Sequence, residues 1–224
     1  MVDRYSISKD PHAFVNAKGP EWQPIYNAHP TQKLPVISKN GTVSFYHWGL
    51  MAKWSNNKVM SSKLFNLDIQ RALEKPSFRK ALENRRCVAV ADGYFQWRQI
   101  GKKQHTPYYH YLQGQALFGL AAIWEASEDI EGNEVESFMC LMQQLPAGGD
   151  SSEERPVVIG ADDVKKWLDP ALDEDGMRGL IMKSTTLEMA THPVSPAISD
   201  PKNNGKSLVQ PAMPADQHGN YTLF

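Results

Sequence analysis

Cysteine is nearly missing from this chain: only Cys87 and Cys140 occur in 224 residues. Each sits in an apolar, strand-like run, where a thiol behaves as a small buried hydrophobe rather than as half of a disulfide or a metal ligand. Neither a Cys-x-x-Cys nor a His-Glu-x-x-His spacing is present, so no zinc site is offered and no cofactor is expected. Long hydrophobic runs are missing too, none approaching the roughly 18 residues that cross a bilayer. Met1-Val2-Asp3-Arg4 leads into polar sequence rather than the apolar segment of a signal peptide. A cytoplasmic protein with no membrane partner is the expectation. Excess charge of one sign is also lacking. A net charge of -1 gives no global attraction to nucleic acid and leaves only local clusters, Arg79-Lys80 with Arg85-Arg86 and Arg98 with Lys102-Lys103, which a solvated helix face or loop explains equally well.

What is there suffices for one domain. With 41% hydrophobic residues the chain can bury a full core, and no repeat or low-complexity linker divides it. Residues 1–24 read as an extended arm with one short helical turn. Leu34-Pro35-Val36-Ile37 and Val43-Ser44-Phe45-Tyr46-His47-Trp48 flank Asn40-Gly41, a strong hairpin signal, and a loop with two indoles, Trp48 and Trp54, follows. Glu74 to Arg86 reads as a helix with Pro76 in its first turn and Phe78, Ala81 and Leu82 on one face. Strands are expected over Tyr108–Leu112, Ala116–Trp124 and Phe138–Met142, then a polar loop from Gln143 to Arg155. Asp162 caps a helix carrying Val164, Trp167 and Leu168, and Thr191 onward reads as loop. Many short strands with a few helices predict an α+β, mainly β fold with a compact, barrel-like core. The domain spans residues 1–211, with residues 212–224 as a C-terminal tail.

The organising stretch is Arg86-Cys87-Val88-Ala89-Val90-Ala91-Asp92-Gly93-Tyr94-Phe95-Gln96-Trp97: a buried strand, a pair that favours a tight turn, then aromatics around an amide. Together with Arg4-Tyr5-Ser6, Tyr26-Asn27-Ala28, Trp48-Gly49-Leu50, Glu74-Lys75-Pro76-Ser77-Phe78-Arg79, Arg155-Pro156-Val157-Val158, and His192-Pro193-Val194-Ser195 with Asn203-Asn204-Gly205, it resembles the SRAP family of SOS response-associated peptidases and abasic-site-processing proteins. No single block is specific; their order is. The resemblance implies a β-rich fold with a shallow cleft for single-stranded DNA. In active members it implies an N-terminal cysteine that closes a thiazolidine on the ring-opened sugar of an abasic site, served by a glutamate, a histidine and an asparagine.

Carried over residue by residue, the resemblance places Val2 where the family has cysteine, Gln96 where it has glutamate and Ser152 where it has histidine. Asn27 is retained. An amide keeps hydrogen bonds but cannot shuttle a proton near neutral pH. Asn66-Leu67-Asp68 falls on the family's Asn-Ala-Arg, replacing a phosphate-binding cation with an anion. Arg4, Trp48, Trp54, Asn66, Trp97, Arg155 and His192 survive as candidate DNA contacts. Two readings from different classes follow. One is a monomeric binder of single-stranded or abasic DNA without thiol chemistry. The other is an enzyme whose Val2 α-amine, with a pKa near 7.7, forms a Schiff base with the abasic aldehyde. A structural relative with a protein partner is the third possibility, and no Ser-His-Asp arrangement can be inferred from spacing.

Overall fold

The computed structural model describes residues 2–17, 19–50, 64–100, 104–114, 116–128, 132–148 and 151–212. Strands β1 (Tyr5–Ile7) and β2 (Ile25–Ala28) flank a 3-10 turn at Pro11–Val15, so the N-terminal arm is partly sheet. The hairpin forms as expected, with β3 (Lys33–Ser38) antiparallel to β4 (Val43–Trp48) and Gly41 at φ +70° in the turn. There follow β5 (Asn66–Asp68), helices α1 (Ile69–Glu74) and α2 (Pro76–Asn84), β6 (Arg86–Ala91), β7 (Gly93–Ile100), β8 (Gln104–Leu112) and β9 (Phe118–Glu128). The chain then runs through β10 (Glu134–Gly148), β11 (Ser151–Pro156), β12 (Val158–Ile159), α3 (Val164–Leu168), α4 (Glu174–Thr185) and β13 (Met189–Pro193).

Five strands close on themselves. β3 pairs with β4 and β6, β6 with β9, β9 with β10, and β10 returns in parallel to β4. Closure leaves both faces of β6 buried, which accounts for its unbroken apolar run. Cys87, Ala89 and Ala91 point into the barrel with Leu34, Val36, Tyr46, Trp48 and Phe138. Val88 and Val90 point outward, beneath the helices with Leu82, Trp167 and Leu180. Arg86, buried between the same helices, donates to the carbonyls of Trp167, Leu82 and Asp169 and so ties α2 and α3 to the barrel. A second sheet, ordered β13-β8-β7-β1-β2, covers the barrel's end. The mainly β, α+β class with a barrel-like core therefore holds.

Several local expectations are corrected. Asp92-Gly93 makes no hairpin turn: Ala91 still pairs with Phe118 in the barrel while Gly93 pairs with Ser6 in the second sheet, so the chain changes sheets at Asp92. Glycine is required at 93 by crowding, since a β-carbon there would lie 2.1 Å from Cζ of Tyr109. The helix expected over 74–86 is the shorter α2, which opens at Pro76 and ends at Asn84, with Arg86 already in β6; α1 before it was not foreseen and is capped by Asp68, whose carboxylate accepts from the Arg71 amide at 3.0 Å. Asp162 caps nothing with its side chain; a 3-10 turn at Ala161–Asp163 precedes α3. Gln143 to Arg155 is no loop, because β10 runs on to Gly148 and β11 returns along it with Gln143 opposite Arg155. Thr191–Pro193 lies in β13, paired with β8. Helix α4 is an addition: Asp173 caps it, and the internal Gly176 and Gly179 hid it from a propensity reading.

Candidate functional site

The site begins where β1 meets β7. Tyr5 pairs with Tyr94, and the Phe95 amide donates to the Arg4 carbonyl at 3.0 Å. Continuing that register sets Asp3 beside Gln96, on the face that looks into the barrel. On the other side of β7, Tyr94 pairs with His110 and Gln96 with Tyr108. One sheet face thus carries Asp3, Tyr94, Gln96, Tyr108 and His110. Val2 is 2% exposed and packs among the barrel residues. Its carbonyl accepts from Asn66 Nδ2 at 2.6 Å, and Gln96 Nε2 donates to the Glu154 carbonyl of β11 at 2.7 Å. Val2, Asn66, Gln96 and the strand bearing Ser152 are therefore gathered at one place, although the Ser152 side chain lies outside the described residues.

The electrostatics of this face are those of burial. Asp3 Oδ1, Asn66 Oδ1, Gln96 Oε1, Thr106 Oγ1 and His110 Nε2 are all buried with no hydrogen-bond partner among the described residues. Desolvation pushes the Asp3 carboxyl above its ordinary value, against the pull of Arg4. Desolvation, helped by the positive charges of Arg98 and Arg155, drags His110 down to about 3, so its ring is neutral at physiological pH. Its ring stacks on Tyr94 at 4.8 Å, and burial lifts the Tyr94 hydroxyl to about 12. Arg98 lies over Tyr108 at 4.6 Å. The charge of Arg155 is answered by Glu153 at 2.6 Å.

Other candidates from the sequence sit elsewhere. Trp97 alternates to the opposite face of β7 and packs with Phe95, Tyr109, Val194, Ile198 and Leu208. His192 lies on that face too, its Nε2 3.0 Å from the Val209 carbonyl. Asn27 is a structural anchor, its buried amide nitrogen 3.0–3.2 Å from the carbonyls of Ile198, Asp200 and Asn203. Arg4 reaches the Ser199 carbonyl of the same segment. The reading of Trp48 as a stacking residue is corrected: it is fully buried between Tyr5, Phe65 and Phe138, with its indole N–H donated to the Phe65 carbonyl. Trp54 lies outside the described residues. Asp68 is occupied as a helix cap rather than standing in for a phosphate ligand.

The sequence reading missed His110, although the alternation of Tyr108-Tyr109-His110-Tyr111 sends it to the Gln96 face. It also missed the network in which Ser6 and Ser8 donate to the Asp92 carboxylate and the Tyr109 hydroxyl meets Ser6 Oγ at 2.8 Å. That network is not a hydrolytic triad, since Ser8 bonds the carboxylate directly while His192 is turned to the Val209 carbonyl. Both thiols face the barrel interior, Cys87 at 0% and Cys140 at 2% exposure, and burial holds each well above the ordinary thiol value. Among the described residues no cluster of His, Cys, Asp or Glu could hold a metal ion, and no helix is long and apolar enough to cross a membrane.

The sequence model of the family described as SOS response associated peptidase (SRAP) matches residues 1–201. The chain belongs to the SRAP family. Among SRAP relatives, it is 28% identical over 197 residues to the abasic site processing protein YoqW of Bacillus subtilis, covering 85% of this chain and 87% of that one. It is 25% identical over 252 residues to the abasic site processing protein HMCES of Rattus norvegicus, covering 89% and 71%. A solved structure from Bacteroides thetaiotaomicron matches this SRAP fold with a TM-score of 0.77 at 21% identity, over 94% of this chain and 99% of that one.

Proposed function

We propose that this SRAP protein recognises single-stranded or abasic-site DNA in the DNA-damage response and does so without a thiol crosslink. The observation that carries the reading is the position of the thiols: Cys87 and Cys140, the chain's two cysteines, are walled into the barrel, while Val2 is the residue that the SRAP likeness sets at the nucleophile position. Without a sulfur beside the N-terminal amine, the five-membered thiazolidine ring cannot close. Among the described residues the buried acceptors Asp3 Oδ1, Asn66 Oδ1 and Gln96 Oε1 have no donor, and the hydroxyls of a ring-opened sugar would supply one. Arg155, on the strand that holds Gln96, would serve an adjoining phosphate, whereas Arg4 and Trp97 lie on the opposite face of the sheet, outside this sugar site. The unit responsible is assigned to residues 1–211, acting as a cytoplasmic monomer.

A second reading is favoured by one contact. Asn66 holds the Val2 carbonyl at 2.6 Å, so removal of Met1 would present the Val2 amine on a fixed backbone. That amine would add to the abasic aldehyde and lose water to form an imine, which hydrolyses back. A denaturing gel of the protein with an abasic single strand, with and without borohydride, separates the readings once mass spectrometry has established the N-terminus. The expected result is a native shift at low salt with no covalent product. A borohydride-dependent adduct, lost when the N-terminus is blocked, would establish the amine chemistry instead. Undetectable native binding would overturn the recognition reading.

A further inference from the structure

The face of β7–β8 turned away from Val2 holds a cavity of about 360 Å³, within the size range of small-molecule sites. Its wall is aromatic: Tyr109 and Tyr111 lie nearly parallel, 20° apart with centroids at 5.6 Å, and His192 tilts against both at 52° and 59°. Tyr26 closes a further side, and Lys9 and Lys206 stand at the rim, both exposed. Gln210 adds an amide that can donate and accept at once. The floor is fixed. The Asp92 carboxylate is saturated by Ser6, Ser8 and the Tyr109 hydroxyl, so it offers little to a cation. The lid is fixed as well, because the segment after β13 is held by Asn27, by the His192–Val209 contact and by the Ala212 amide on the Pro193 carbonyl.

Flat aromatic walls take planar rings, ammonium groups at the mouth take anions, and an amide reads a polar edge. We propose that this cavity is a nucleotide-binding site, seating one base against Tyr109 and Tyr111 with its phosphate at Lys206 and Lys9. The site is separate from the Val2 face, since successive residues of β8 point to opposite sides of the sheet. A free mononucleotide and one unit of a single strand share this chemistry.

Isothermal titration of the whole protein with dAMP, deoxyadenosine, inorganic phosphate and a five-nucleotide oligo(dA) tests the proposal. Saturable dAMP binding is expected, with Lys206→Glu weakening it about tenfold through the lost charge-assisted contact and Tyr111→Leu about tenfold through lost stacking. Lys206 is exposed, so that variant keeps the measurement meaningful if Tyr111→Leu fails to fold. Competition of oligo(dA) with dAMP identifies a strand as the source, and exclusion of oligo(dA) identifies the free nucleotide; either supports the site. No binding of dAMP or oligo(dA), phosphate binding as tightly as dAMP, or indifference to both substitutions would overturn it. The two functional readings fail separately. Binding of dAMP without binding of an abasic strand keeps this cavity and removes the Val2 reading, and the reverse result does the opposite.

Discussion

One short motif feeds two faces of the β7–β8 ladder, and the faces differ in kind. Tyr94 and Gln96 point toward the barrel, where buried polar atoms beside Val2 and Asn66 have no partner among the described residues. Phe95 and Trp97 point the other way, onto an apolar cluster beside a preformed cavity whose Asp92 carboxylate is already engaged by Ser6 and Ser8. The contrast teaches that Asp92–Trp97 is not one site. Its alternation sends buried acceptors to one side and an apolar cluster beside the aromatic cavity to the other, and the two should be separable by substitution.

The largest expected effect destroys both faces at once. A β-carbon at Gly93 would lie 2.1 Å from the Tyr109 ring, which cannot retreat because its hydroxyl is held by Ser6. Gly93→Ala is expected to cost about 3 kcal/mol, read by chemical denaturation. Next comes a substitution that loosens the outer face alone. Asn27→Ala strips the carbonyls of Ile198, Asp200 and Asn203 of their buried donor and should cost about 2 kcal/mol. Hydrogen exchange should quicken across 196–212 and stay unchanged in β5 and β6. Equal quickening on both sides would mean that the two faces are not independent.

His110 sharpens the comparison from the inner side. Its folded value is held at about 3, against 6.5 for an ordinary imidazole, by burial and by Arg98, Arg155 and His192. Between those values the unfolded chain takes up a proton that the folded one refuses. Stability is therefore complete above pH 6.5 and is lost as pH falls toward 3. The loss from this group at about pH 5 is about 2 kcal/mol. His110→Gln should flatten that part of the stability profile and leave stability near neutral pH little changed, whereas substitutions around the outer cavity should leave the slope in place.

Much of this was legible in the chain and some was not, for physical reasons. The Asn40-Gly41 hairpin could be read because a positive φ at Gly41 demands such a residue, and β6 because a strand buried on both faces is apolar, here from Cys87 to Ala91. The family positions could be read because they hold their order along the chain. Whether Gln96 and Trp97 share a face could also have been read from period two, yet the motif invites treatment as a single unit. Helix α4 was hidden by Gly176 and Gly179, and the far half of β10 by its polar composition. Asn27 looks like a ligand-binding residue until the three carbonyls it holds are in view, because they lie more than 170 residues away.

The smallest expected effect tests whether the inner face is poised for a ligand or for stability. Burial raises the Asp3 carboxyl above its usual value, and Oδ1 has no donor among the described residues. The charged form is thus disfavoured in the folded chain, and ionisation at neutral pH works against folding. Asp3→Asn removes that penalty, so the melting temperature should rise slightly at neutral pH. The gain should fade as pH falls through the folded value, where the native carboxyl is itself protonated. If the same variant weakens binding of an abasic strand, Asp3 is kept for recognition at a cost in stability, as unpartnered polar groups in binding sites commonly are. If stability rises and binding is untouched, the buried acceptors beside Val2 do not contact the sugar, and recognition rests on the basic and aromatic residues around them.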